Sequence, residues 1–172
     1  MSRLILIWFD ICLLRAGPQD LPASRELLGL SMASYTLASF LLSLPGYPLV
    51  SAVQLALMDA GLVVVFAVTA LYLTGKTARL TQTLTALSGT GTLLGLIALP
   101  VIQLLASGKE SGQPALLAGM LWLALFGWNL IVVAHIVRHA LSVNFFVATG
   151  IAILYTLVAM QIINALFPVS LG

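Results

Sequence analysis

Charge is scarce in this sequence. Seven Lys and Arg and five Asp and Glu make up 7% of 172 residues, where a soluble domain carries roughly a quarter. So few charges cannot solvate a globular surface, which excludes a water-soluble enzyme or binding module. The seven basic side chains form no cluster, so the formal net charge of +2 describes no nucleic-acid footprint. Cysteine is almost missing as well. The single Cys12 excludes an intramolecular disulfide and a thiolate metal cage, and leaves the redox compartment unread. Long polar connections are also absent, so no soluble domain is expected.

What the sequence has in abundance is apolar length: 61% of residues are hydrophobic and mean hydropathy is +1.14. A helix needs about 20 mostly apolar residues to cross a bilayer. Five segments qualify: Leu27 to Leu44, Val50 to Thr74, Leu84 to Ala106, Ala115 to Val137 and Phe145 to Phe167. Breakers bound them. Pro45, Gly46 and Pro48 close the first, Gly75 and Lys76 the second, and Pro168 the last, while Gly108 to Pro114 separate the third from the fourth. Ser24 is placed to cap the first span.

Before these spans, Arg3 to Leu14 is too short to cross: as a helix it reaches roughly 18 Å, against a core of about 30 Å. Asp10 interrupts its apolar run and no small-x-small cleavage site follows, so it is expected to be retained rather than removed as a signal peptide. It reads as an amphipathic helix lying at the interface, with Trp8 at headgroup depth and Arg3, Asp10 and Arg15 reaching water. The expected fold is an all-α integral membrane protein: residues 1–24 form an interfacial helix and linker, and 25–172 a single five-helix transmembrane domain.

Orientation follows from basic residues in short loops. With the N-terminus inside, Arg3, Arg15, Arg25, Lys76, Arg79 and Arg138 face the cytoplasm, and Lys109 alone lies outside. The C-terminal tail, Pro168 to Gly172, carries no charged side chain and is expected outside. Tyr47 and Tyr72 fall at opposite rims, whereas Trp122, Trp128 and Tyr155 lie deeper and need partners for their polar tips, Asn129 among them.

One carboxylate falls inside a span. Asp59 lies about 13 Å from the outer end of the second helix, where a charge costs at least about 2.5 to 3.5 kcal/mol. It is therefore expected to face the bundle, neutral or partnered. Depth counting brings Gln54, Asn129 and Gln161 to neighbouring layers, with Asn164 slightly further out, and these form a candidate polar cluster. The cluster serves either as hydrogen-bonded glue between helices or as the centre of a proton, ion or solute site.

Two further patterns carry geometry. Gly91 and Gly95 make a G-x-x-x-G pair, and Ser88 and Thr92 a second small pair beside it, so this helix is built for close approach by a neighbour in the same chain or another. Pro100 further along releases the carbonyl of Leu96 and is expected to kink it. His135 and His139, spaced i, i+4, present two imidazoles on one face. Two ligands do not close a metal site, and histidines beside Arg138 at a basic rim serve equally as headgroup contacts. Ser88-Gly89 has no G-x-S-x-G elbow around it, so no catalytic residue is assigned, and neither a cofactor nor a metal is expected.

Three local stretches carry a family resemblance: Leu14-Arg15-Ala16-Gly17-Pro18-Gln19-Asp20-Leu21-Pro22; Leu87-Ser88-Gly89-Thr90-Gly91 leading into Pro100; and Trp128-Asn129 followed by Ala134-His135-Ile136-Val137-Arg138-His139-Ala140-Leu141. With the five-span layout, they resemble the Yip family, specifically its small bacterial relatives; eukaryotic members are Golgi and endoplasmic-reticulum proteins that interact with Rab GTPases. Their long cytoplasmic N-terminal region has no counterpart here, so a Rab-binding role does not carry over. The resemblance implies a non-enzymatic inner-membrane protein that organises membrane or serves as an accessory subunit, through lipid contacts, a membrane-protein partner or a homo-oligomer. The rival expectation is a small transporter or channel-like protein with Asp59 at its centre. A metal- or haem-linked enzyme using His135 and His139 is the third.

Overall fold

The computed structural model describes residues 2–111 and 116–167. Six helices follow in order: α1 (Ser2–Cys12), α2 (Arg25–Ser43), α3 (Leu49–Leu73), α4 (Leu80–Ser111), α5 (Leu116–Leu141) and α6 (Phe145–Leu166). Among the described residues there is no strand. Helices α2 to α6 are each long and apolar enough to cross a membrane. Their outer surfaces carry Leu57, Val65, Leu123, Phe146 and Leu154, all exposed. That is the surface of a protein whose solvent is hydrocarbon.

The ends follow from local chemistry. Ser24 caps α2, its Oγ accepting from Leu27 N at 3.2 Å, and Asn144 caps α6, its Oδ1 accepting from Val147 N at 2.8 Å. Helix α3 stops at Gly75, whose φ of 67° is costly for a residue with a Cβ; Lys76 N then returns to Leu71 O at 2.8 Å. The expected boundary at Gly108 is corrected: α4 runs through it to Ser111 and contains Pro100 as well. A lone glycine weakens a helix by only about 1 kcal/mol, and proline is tolerated where neighbouring helices support the backbone. Pro114, Pro168 and the tail to Gly172 lie outside the described residues.

Helix α4 is the centre of the bundle, touching α1, α2, α3 and α5, and its interface with α2 is the most extensive. Ser31 and Ser88 are fully buried there, with Ser88 Oγ donating to Ser31 Oγ at 3.0 Å. Helix α6 packs on α5 and more lightly on α3.

The basic residues that link helices gather at one end of the bundle. Lys76 Nζ donates to Leu141 O. Arg79 Nη1 donates to His139 O and Ala140 O, each at 3.0 Å, and to Ser142 Oγ at 2.8 Å. These two cations satisfy carbonyls at the C-terminus of α5, the negative end of its dipole. At the opposite end Tyr47 Oη donates to Phe167 O at 3.3 Å, joining the α2–α3 turn to the end of α6.

Trp8 departs from the sequence expectation. Instead of standing among headgroups it is 9% exposed and lies over Gly89, where a Cβ would come within 2.3 Å of its ring. Among the described residues its Nε1 finds no hydrogen-bond partner. The chain after α1 is held from α5: Trp128 Nε1 donates to Cys12 O at 3.1 Å, and His135 Nε2 lies 2.9 Å from Ala16 O. Trp8, Ile11 and Cys12 are thus covered by protein, while Ile5, Leu6 and Phe9 of the same short helix stay exposed.

Candidate functional site

The site is assembled from four helices in the half of the bundle away from the basic end. Tyr35 and Ser39 of α2, Asp59 of α3, Gly91 and Gly95 of α4, and Trp122, Phe126 and Asn129 of α5 line one cavity of about 300 Å³. The remaining walls are apolar: Ala38, Leu42, Leu94, Ala98, Ile102 and Leu125.

Why it forms is legible from the α2–α4 seam. A Cβ on Gly91 would stand 2.6 Å from the Tyr35 ring, and one on Gly95 would meet Leu42 at 3.3 Å and Ala38 at 3.5 Å. The G-x-x-x-G pair therefore serves a helix of the same chain. Ser88 completes that seam through Ser31, while Thr92 turns its hydroxyl back to Ser88 O at 2.8 Å. With α2 drawn in, Tyr35 and Ser39 reach Asp59. Ser39 Oγ donates to Asp59 Oδ2 at 2.9 Å, and Tyr35 lines the cavity beside the same carboxyl.

The expected polar cluster divides. Asp59 and Asn129 share the cavity. Gln54, Gln161 and Asn164 are instead exposed and line no part of it. Depth counting fixes the height of a residue along a helix but not its azimuth, and these three point away from the interior. The hydroxyls that do reach Asp59 went unnoticed because neither ionises within a span. A signal was present: Ser31, Tyr35 and Ser39 recur at i, i+4 and i+8, one polar stripe along α2.

Trp122 and Phe126 stack with ring centroids 5.3 Å apart and 9° between planes, giving the cavity an aromatic wall. Trp128 is not part of it; its indole N–H is used by Cys12 O rather than by Asn129.

At the basic end, the rings of His135 and His139 lie 4.6 Å apart, edge to face at 65°. His135 is buried, with Nε2 engaged by Ala16 O. His139 joins Gln19, Arg79, Gln82 and Ser142 around a second cavity of about 280 Å³. Cys12 is buried, and burial pushes its thiol up to about 11, which keeps it protonated and a poor metal ligand. Among the described residues no three His, Cys, Asp or Glu side chains come together for a metal.

The Asp59 cavity combines a hydrogen-bonded carboxyl, an amide and an aromatic wall within a candidate membrane span, an arrangement suited to holding a small molecule or a proton. Comparisons with protein-family models, with curated proteins and with solved structures find no match to this chain.

Proposed function

We propose that this protein is a small integral membrane transporter or channel-like protein that binds its solute in the Asp59 cavity. The observation that carries the reading is that Asp59, held by Ser39 with Tyr35 beside it, borders open space of about 300 Å³. A carboxyl used only as interhelical glue needs no cavity; intramembrane carboxyls that face one mark ion, proton or solute pathways. In this reading the basic end lies in the cytoplasm, α1 rests along that interface, the C-terminal tail is outside, and the bilayer is a bacterial inner membrane.

The test is flux. The protein is reconstituted in proteoliposomes, and proton and solute movement are followed for the wild type, Asp59→Asn and Asp59→Leu. Loss of flux in both variants, with Asn129 and Ser39 variants impaired less, supports the reading. Flux retained in Asp59→Asn assigns the carboxyl a structural role.

The second reading is the organising or accessory role implied by the Yip-type resemblance. One observation favours it: α3 and α6 border an apolar groove of about 450 Å³, lined by Leu62, Phe66, Leu154 and Val158 among others. Such a groove suits a lipid chain or a partner's helix. It ranks second because the small-residue motif, which in sequence suits a helix of the same chain or of another, is already filled by α2. Co-purification of a stoichiometric partner in mild detergent, lost on widening Val158 to Trp, would raise it above the first.

A further inference from the structure

Taking the Asp59 cavity as a ligand site, we infer that its ligand is a monovalent organic cation: a protonated or quaternary amine on a compact apolar body, with its charge on Asp59 and its body against Trp122 and Phe126.

The charge follows from what the cavity supplies and what it omits. Ser39 donates a hydrogen bond to the Asp59 carboxyl and the Tyr35 hydroxyl stands beside it, and hydroxyl donors are what a carboxylate accepts readily. A carboxylate away from water also requires a counter-charge. None of the described lining residues is Lys, Arg or His. Lys76 and Arg79 are committed to the end of α5 at the other end of the bundle. The missing positive charge therefore belongs to the ligand. An anion finds no cation in this cavity, and a sugar finds too few polar groups, since Tyr35, Ser39, Asp59 and Asn129 are the polar members of an otherwise apolar wall.

The body follows from the remaining wall. Stacked Trp122 and Phe126 offer π-faces to which alkylammonium groups are drawn, more strongly where water is excluded. At about 300 Å³ the cavity sits at the small end of ligand pockets, which limits the occupant to one compact molecule. Asn129, whose amide both donates and accepts, leaves the choice of charge to Asp59.

The inference rests on the proposed function and is tested so that the two fail separately. Wild-type protein in nanodiscs is equilibrated with tritiated benzyltrimethylammonium or with its uncharged isostere neopentylbenzene, and binding to empty nanodiscs is subtracted. The expected result is saturable binding of the cation, undisplaced by the isostere and weakened about tenfold or more in Asp59→Asn. Trp122→Leu, which leaves the carboxyl in place, is expected to weaken it severalfold, and melting curves verify that both variants are folded. Saturable binding of both probes, equally strong in Asp59→Asn, overturns the cation assignment while leaving a ligand cavity. Failure of the cation to bind folded wild-type protein also overturns it; the flux measurement then stands alone as the test of the cavity's role.

Discussion

The Tyr35 ring lies so close over Gly91 that a Cβ at position 91 would stand 2.6 Å from it. One hydrogen atom in place of a methyl group thus decides how near α2 comes to α4, and through Tyr35 whether a hydroxyl reaches Asp59. Packing and chemistry meet at this pair.

Gly91→Ala is expected to cost about 1 to 3 kcal/mol, the usual range for overpacking a filled site, and to pull Tyr35 off Asp59. Gly150→Ala in α6, where a Cβ meets nothing within 4 Å, is expected to stay neutral or gain up to about 1 kcal/mol from helix propensity. Thermal melting of the two proteins in the same detergent checks the contrast.

Asp59→Asn keeps an oxygen to accept from Ser39 and is expected to melt close to wild type. Asp59→Leu strands the hydroxyl of Ser39 and is expected to lose about 1 to 3 kcal/mol. The difference between the two melting temperatures isolates the hydrogen bond from the charge.

These positions also show how much was legible in advance. The five spans were readable from apolar length alone, with ends within a few residues, because a bilayer sets a ruler that few sequences meet by accident. Ser24 as a cap and Gly75 as a stop were readable from local chemistry. Asp59 stood out because a carboxyl in hydrocarbon demands a reason. Gln54, Gln161 and Asn164 misled because the hydropathy of a lipid-facing helix gives little sign of which side faces inward; every face is apolar. Trp8 misled for a related reason: an aromatic on an amphipathic helix fits a headgroup layer and a glycine notch equally well, and only the position of Gly89 on a neighbouring helix decides. Helix α4 ran past Gly108 because a glycine without a proline or cap beside it is a weak stop.

Cys12 is expected to resist thiol reagents near neutral pH. The thiolate is the reactive form, and with the thiol pushed up to about 11 almost none is present at pH 7.5. Maleimide labelling is expected to quicken as pH rises toward 11. Trp8→Ala, which removes the side chain seated on Gly89, is expected to loosen α1 and bring fast labelling at neutral pH.

Arg79→Gln removes the cation that three acceptors at the end of α5 share. A loss of about 0.3 to 1 kcal/mol is expected from the helix dipole, with faster hydrogen exchange confined to the last turn of α5 and Ser142.

The central claim is that the Asp59 cavity is an open polar site that favours positive charge. The direct measurement places a cysteine at Asn129 in a Cys12→Ser background and compares modification by aminoethyl methanethiosulfonate, a cation, with the anionic sulfonatoethyl reagent. A cysteine at outward-facing Leu123 serves as the bilayer control. Faster modification than the control, a preference for the cation and loss of that preference in Asp59→Asn are the expected results. A rate no greater than at position 123, or a preference that survives Asp59→Asn, would contradict the claim.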